Sequence, residues 1–348
     1  MQVLSLASIF SEGVANSMWF NAIIFLVGLI ILIKGADWFV DSASFVAKKA
    51  HVPDIVIGLT LVSLGTSLPE FATNVYAVIE NNSEIAVGNA VGSNITNIAL
   101  VLGAGVFLMR SVDVSKKLFF RDCLFMFFVT VLVSVMPWFF PEQGDTNRFF
   151  INRGCGVILI ILTICYITFL VKNKDDHEEI GEAAHDTEEH PEHHKAFKSI
   201  AHAIVFFIIG LIMTIYGAKM LVDSVVTVSR QFKLNEEIIS ATIVAFGTSV
   251  PELAVTVSGA MKGKNDIALG NVLGSNIFNI ILVLGFNSLI KPLVITSSMA
   301  TEVMPFMLIL SALLIFFIPL KWKLKRWHGV IFLAAYIGYI SYNVMIIK

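Results

Sequence analysis

The sequence predicts an all-α membrane protein with ten transmembrane helices, arranged as two inverted repeats of five helices each. Three observations lead to this prediction. Of the 348 residues, 56% are hydrophobic and only 14% are charged, whereas a typical soluble domain has about 25% charged residues. Uncharged apolar stretches of about 20 residues, long enough to cross a bilayer as a helix, recur along the whole chain. A set of short motifs also occurs twice at one constant spacing.

This composition excludes several classes of protein. An ordinary cytosolic enzyme would carry more charge, and a porin-like barrel would alternate apolar and polar residues. The net charge of −2 without a basic stripe argues against a nucleic-acid partner. The three cysteines lie in apolar stretches, with a spacing that fits neither disulfides nor zinc. The first 18 residues contain Glu12 but no Lys or Arg, so no cleavable signal peptide is expected.

Apolar runs separated by charged breaks predict the positions of the membrane spans. We expect them at residues 20–46, 54–79, 85–109, 118–138, 151–171, 199–228, 237–261, 267–288, 299–319 and 327–347. Most Lys and Arg residues fall in loops on one alternating side, which the positive-inside rule assigns to the cytoplasm. The prediction is therefore an integral protein of the cell (inner) membrane with both termini on the external side.

The longest hydrophilic segment divides the chain into three predicted parts. Residues 1–171 form the first five-helix repeat, residues 172–198 a cytoplasmic loop, and residues 199–348 the second repeat. The loop contains nine acidic residues and five histidines. This composition is typical of a solvated linker, although clustered carboxylates and imidazoles also bind divalent ions. No spacing in the loop matches a defined ligand set such as the EF-hand.

An internal repeat becomes visible when the chain is shifted by 182 residues. Segment 65–70, Gly-Thr-Ser-Leu-Pro-Glu, then aligns with segment 247–252, Gly-Thr-Ser-Val-Pro-Glu. The motif regions span about residues 58–103 and 240–285. Because each half has an odd number of spans, the second half should enter the membrane from the opposite side. In secondary transporters such inverted repeats place the substrate near mid-bilayer, where helices are interrupted.

The repeated motif has the chemistry of a cation site. Pro69 and Pro251 cannot donate a backbone N–H, which frees carbonyl oxygens one turn earlier in each helix. Glu70 and Glu252 follow directly and lie deep in their spans, where a charge is costly. No Lys or Arg is expected at similar depth in the neighbouring spans, so a cation or a proton must balance them. Carboxylate, hydroxyl and carbonyl oxygens suit Ca²⁺ or Na⁺, whereas a transition metal would recruit His or Cys.

Two polar stripes accompany the glutamates. A second repeated segment, Gly-Asn-x-x-Gly-Ser-Asn-Ile-x-Asn, begins at residues 88 and 270 and follows the same offset of 182. Residues four apart share one face of a helix. The stripes are Asn89, Ser93 and Asn97 in the third span, and Asn271, Ser275 and Asn279 in the eighth. Their side chains could ligate an ion or could hydrogen-bond between helices, and the sequence leaves both interpretations open.

At these residues the sequence resembles the sodium/calcium exchangers of the cation/calcium antiporter superfamily, over about residues 20–110 and 200–290. The resemblance implies a secondary active antiporter, not an enzyme. It would exchange Ca²⁺ for Na⁺ by alternating access at one mid-membrane site, with no cofactor and no required protein partner. It implies Ca²⁺ ligation by Glu70 and Glu252 with the carbonyls of Thr66 and Thr248. The implied Na⁺ or water positions are lined by Ser67, Ser249, Ser93, Ser275, Asn97, Asn279 and the carbonyl of Ala245.

The nature of the coupling ion stays open at this point. Potassium-dependent relatives carry Asp where Asn279 stands here, so K⁺ coupling is not expected. An H⁺-coupled antiporter for Ca²⁺ or another divalent cation is the main alternative, since the same glutamates could bind protons. An intramembrane enzyme is disfavoured because the second copy repeats every polar group, whereas acid/base pairs need different environments. A passive cation channel is disfavoured because a closed two-glutamate site favours tight binding over throughput.

Overall fold

The computed structural model describes residues 18–49, 63–109, 111–142, 145–172, 197, 199–232, 235–261 and 265–346. Almost all of these residues are helical. Most of the acidic, histidine-rich loop and the beginning of the second predicted span lie outside the described residues.

The helices of the first half follow the predicted spans closely. They are α1 (Met18–Lys49), α2 (Ser63–Thr66), α3 (Leu68–Ile79), α4 (Ser83–Met109), α5 (Lys116–Phe139) and α6 (Arg153–Lys172). Here α2 and α3 are the described parts of the second predicted span, separated by a turn at Ser67.

The helices of the second half repeat this order. They are α7 (Ile200–Phe232), α8 (Glu236–Thr248), α9 (Val250–Met261), α10 (265–290, joining Asn265–Phe278, Asn279–Leu284 and Gly285–Ile290), α11 (Met299–Lys321) and α12 (Arg326–Ile346). Within the described ranges, eight helices are long and apolar enough to cross a membrane, or up to nine if the bent pair Glu236–Thr248 and Val250–Val257 is one span.

Five short strands, which the sequence did not predict, join the loops. They are β1 (Ser111–Asp113), β2 (Pro141–Glu142), β3 (Asp145–Ile151), β4 (Leu293–Thr296) and β5 (Lys323–Lys325). Strand β1 pairs antiparallel with β5, and β3 pairs antiparallel with both β2 and β4. Backbone groups at loop ends need partners, and these loops find them across the chain. The β1–β5 and β3–β4 pairs thereby tie the two halves together.

Helices α1 and α7 pack with their backbones in contact. A Cβ added at Gly217 would lie 2.5 Å from the backbone nitrogen of Leu32, and one added at Gly35 would lie 2.6 Å from that of Thr214. The contacts of Gly28 with Gly217 and of Gly35 with Gly210 show that the two helices run antiparallel. Small residues permit such close approach between membrane helices.

Apolar side chains on the outer helices face away from the protein. Ile23 and Ile30 on α1 are 59% and 62% exposed, and Ile208 on α7 and Ile161 on α6 are similarly exposed. In water these side chains would form a large apolar patch, which soluble monomers avoid. The chain is therefore an integral membrane protein, with these faces toward lipid.

Helices α4 and α10 form the buried centre of the molecule. Almost every residue of Ser83–Thr96 is buried, and α4 approaches α8 so closely that a Cβ at Gly92 would lie 2.2 Å from the carbonyl oxygen of Ala241. Both central helices change to a π-helical turn at corresponding positions, Asn97–Leu102 and Asn279–Leu284. Such turns occur often at functional sites.

Candidate ion-binding site

The repeated proline motifs interrupt two helices at corresponding points. The backbone leaves helical geometry at Ser67 (φ −87°, ψ 4°) and at Ser249 (φ −84°, ψ 8°). The helix axis bends by 43° between Glu236–Thr248 and Val250–Val257. Because proline has no N–H to donate, each helix restarts after the serine. Glu70 and Glu252 consequently lie in the first turn of α3 and α9, where the helix dipole favours negative charge.

The two glutamates lie at the interface between the halves and are fully buried. The Ser249 hydroxyl donates to Oε1 of Glu70 over 3.2 Å, and the Ser67 hydroxyl donates to Oε1 of Glu252 over 3.3 Å. Each carboxylate therefore receives a hydrogen bond from the helix break of the other half. The second oxygen of each carboxylate, Oε2, is buried and accepts no hydrogen bond. These two oxygens are available to ligate a cation.

Further hydroxyl groups extend this network from the central helices. Ser93 donates to Oε1 of Glu70 over 3.4 Å, and its oxygen lies 3.5 Å from the Thr248 hydroxyl. In the other half, the Thr66 and Ser275 hydroxyl oxygens are 3.3 Å apart. All four hydroxyl residues are buried. The result is a compact cluster of oxygen atoms around two carboxylates, the donor set that hard cations prefer.

The remaining candidate residues differ in their use of hydrogen bonds. Asn97 and Asn279 are completely buried, and neither polar atom of either side chain has a hydrogen-bond partner. Unsatisfied buried amides are uncommon, and an ion or water would satisfy them. The Ala245 carbonyl, in contrast, accepts from the Ser249 N–H over 3.1 Å and from the Thr248 hydroxyl over 3.4 Å. It is thus the candidate most fully engaged within the protein.

The charge of the site comes from the two glutamates alone. Among the described residues, neither Glu70 nor Glu252 forms an ion pair with Lys or Arg. The described parts of the chain also contain no group of three or more His, Cys, Asp or Glu residues that could hold a metal ion. The site thus combines two carboxylates with neutral hydroxyl, amide and carbonyl oxygens.

Comparison with known proteins places this architecture in a family. The sequence profile described as "Sodium/calcium exchanger protein" matches residues 20–172 and 202–345. The chain belongs to the sodium/calcium exchanger family. A family member from Methanosarcina acetivorans, sodium/calcium exchanger MaX1, is 33% identical over 347 residues, which cover 92% of this chain and 97% of that protein. Putative antiporter CaxA of Alkalimonas amylolytica is 34% identical over 321 residues, covering 90% and 95%.

Solved structures of the exchanger family agree with the fold. A structure of the sodium-calcium exchanger NCX_Mj, soaked with 100 mM Na⁺ and 10 mM Sr²⁺, has a TM-score of 0.60 and 34% sequence identity. The match covers 93% of this chain and 99% of that one. The family resemblance and the transporter class expected from the sequence are therefore confirmed.

Four asparagines of this exchanger contribute contacts that sequence reasoning did not assign to the site. Asn89 and Asn271 hydrogen-bond to Thr248 and Thr66 of the opposite half. Asn94 donates to the backbone carbonyl of Asn276 over 3.3 Å. The first pair carried a signal, since each lies one helical turn before the serine of its polar stripe. The second pair points away from that stripe, and only its repetition marked it.

Proposed function

We propose that this chain is a secondary active antiporter that exchanges Ca²⁺ for Na⁺ at the centre formed by Glu70 and Glu252. The observation that carries the proposal is the reciprocal geometry of these carboxylates. Both are fully buried, each accepts a hydroxyl from the other half, and each keeps one oxygen without a donor. Two negative charges balance one Ca²⁺, and the same oxygens suit Na⁺ once Ca²⁺ has left.

The proposed ligands follow from this arrangement. Glu70 and Glu252 would hold Ca²⁺ together with the backbone carbonyls of Thr66 and Thr248. Na⁺ or water positions around this centre would use Ser67, Ser249, Ser93, Ser275, Asn97, Asn279 and the Ala245 carbonyl. The unpartnered amides of Asn97 and Asn279 support their inclusion. The Ala245 carbonyl has the weakest support, because two protein donors already engage it.

The architecture proposed for this exchanger is ten transmembrane helices in two inverted repeats, residues 1–171 and 199–348, joined by the loop 172–198. Two observations support an inverted relationship. Helices α1 and α7 occupy corresponding places in the repeats and run antiparallel. The hydrogen bonds from Ser67 to Glu252 and from Ser249 to Glu70 are exchanged by the offset of 182 residues. A two-fold axis in the membrane plane produces both features.

The proposed orientation places both termini outside the cell membrane and the β1–β5 ribbon in the cytoplasm. Lys323, Lys325 and Arg326 are exposed beside this ribbon. Cytoplasmic loops carry the excess of Lys and Arg in membrane proteins. In this orientation the break at Ser67 is reached from the cytoplasm along α2, whereas the break at Ser249 is reached from outside along α8. Alternating access would expose the shared centre to one side at a time.

Transport into proteoliposomes tests this function. Vesicles loaded with Na⁺ should accumulate ⁴⁵Ca²⁺ when placed in Na⁺-free buffer, and those without a Na⁺ gradient should not. Glu70→Gln and Glu252→Gln should each abolish uptake, because each removes one of the two charges that balance Ca²⁺. Glu80→Gln is the matched control, since Glu80 is an exposed carboxylate just beyond the end of α3, and it should transport normally.

The same experiment separates the alternatives. Uptake driven by a pH gradient without Na⁺ would replace Na⁺ by H⁺ as the coupling ion. Uptake that persists in both glutamine variants would refute the proposed centre. Ca²⁺ flux in empty vesicles without any countertransported ion would instead indicate a channel.

A further inference from the structure

Two asparagines link the halves of the molecule directly behind the proposed cation centre. These bridging asparagines, Asn89 on α4 and Asn271 on α10, correspond under the offset of 182 residues. Their exposed fractions are 0% and 5%. Both lie one helical turn before the serines that contribute hydroxyl groups to the centre. They are thus neighbours of the site rather than contacts of the glutamate carboxylates.

Each bridging asparagine accepts a hydrogen bond from the opposite half. The Thr248 hydroxyl donates to Oδ1 of Asn89 over 3.1 Å. The Thr66 hydroxyl donates to Oδ1 of Asn271 over 3.4 Å. Both threonines are the last residues before the helix breaks at Ser67 and Ser249.

Each bridging asparagine also donates within its own half. Nδ2 of Asn89 donates to Oδ1 of Asn74 over 2.7 Å on α3. Nδ2 of Asn271 donates to the Thr256 hydroxyl over 3.1 Å and to the Glu252 carbonyl over 3.2 Å on α9. One amide group therefore connects the glutamate-bearing helix of its own half with the helix break of the other half.

We infer that the bridging asparagines are positioning residues for the cation centre. They fix the separation between each glutamate-bearing helix and the threonine at the opposite helix break. An interrupted helix lacks the continuous ladder of backbone hydrogen bonds that would otherwise hold its two segments. The amide supplies this restraint from outside the helix, and a buried amide does so with defined geometry. The inference rests on the proposed function, because it assumes that the threonine carbonyls and the glutamates share a cation.

The pairing across the halves gives the inference a specific test. If Asn89 acts through Thr248, then Asn89→Ala and Thr248→Val remove the same hydrogen bond. Each single variant should weaken equilibrium Ca²⁺ binding by about threefold to tenfold, the value of one hydrogen bond. The double variant should bind Ca²⁺ about as well as the weaker single variant. Asn271→Ala with Thr66→Val should behave in the same way.

The same chain offers the matched control. Asn89→Ala with Thr66→Val, and Asn271→Ala with Thr248→Val, combine groups that do not touch each other. In these variants the losses of affinity should multiply. Thermal unfolding without Ca²⁺ and Na⁺ serves as the second readout. A purely structural role would lower thermal stability in all variants without distinguishing the two pairings by Ca²⁺ affinity.

Threonine variants keep the test valid if an alanine variant does not fold. Thr248→Ser retains the hydroxyl and should bind Ca²⁺ like the wild type, whereas Thr248→Val should not. Equal affinity of these two variants, or multiplicative losses in both pairings, would overturn the inference. A wild-type protein that binds no Ca²⁺ would instead refute the proposed function itself. Ca²⁺ binding that depends on Glu70, together with multiplicative losses, would refute only the positioning role.

Discussion

The contact between α1 and α7 makes a sharp prediction about a single methyl group. A Cβ at Gly217 would lie 2.5 Å and 2.7 Å from the backbone nitrogen and Cα of Leu32, and 2.8 Å from the carbonyl oxygen of Gly28. Ordinary contacts begin near 3.4 Å. All three neighbours are backbone atoms, so no side chain can move aside. Gly217→Ala must therefore separate the two helices by about 1 Å.

The magnitude follows from comparison with a glycine in open space. Nothing lies within 4 Å of a Cβ at Gly338, which is exposed within α12. Both Gly→Ala changes gain about 0.5–1 kcal/mol of helix stability, so this gain cancels between them. The difference between Gly217→Ala and Gly338→Ala is the overpacking term alone, about 1–3 kcal/mol.

Thermal unfolding of the purified variants in one detergent measures this difference. The apparent Tm of Gly217→Ala should lie below that of Gly338→Ala by about 2–6 °C. Gly35→Ala should resemble Gly217→Ala, because its Cβ would also meet backbone atoms on the partner helix, the nearest at 2.6 Å. Equal Tm values for Gly217→Ala and Gly338→Ala would refute the reasoning, since the α1–α7 contact would then tolerate a methyl group.

Three further changes test other parts of the structure. Asn97→Ala should leave the ion-free Tm nearly unchanged, because no hydrogen bond is lost, while raising the Na⁺ concentration needed for half-maximal exchange; an unchanged Na⁺ dependence would remove Asn97 from the site. Asp122→Ala breaks the 2.5 Å ion pair with the buried Arg121 and should lower stability by about 3–5 kcal/mol, so a wild-type Tm would contradict it. Lys323→Ala breaks a 2.8 Å pair with Asp113 in which both side chains are largely exposed, and should change stability by less than about 1 kcal/mol.

Much of the fold was predictable because membrane insertion depends on local composition. The helices begin and end within a few residues of the predicted spans, as for α4 at Ser83–Met109 and α7 at Ile200–Phe232. Apolar length and the absence of charge determine whether a segment enters lipid. The strands were missed because their pairing partners lie far apart in the chain, as with Ser111 and Lys325.

The candidate site was predictable in its residues but not in its connections. The offset of 182 residues identified Glu70 and Glu252, and proline chemistry explained the helix breaks beside them. The sequence did not indicate that Ser249 would donate to Glu70, because residues 179 apart are related only by helix packing. It also gave no reason to separate Asn89 from the other amides of its polar stripe.

The sequence by itself determined the membrane class, the repeated motifs and the carboxylates of this exchanger, since each depends on residue types at short spacings. Only the tertiary structure decided which groups meet. The contacts from Ser67 to Glu252, from Thr248 to Asn89 and from Gly217 to Leu32 all cross between the halves. They depend on the distance and orientation of packed helices, which hydrophobic patterns do not specify. The candidate centre is a property of the interface between the halves, because each half supplies the hydroxyl that the other half's glutamate accepts.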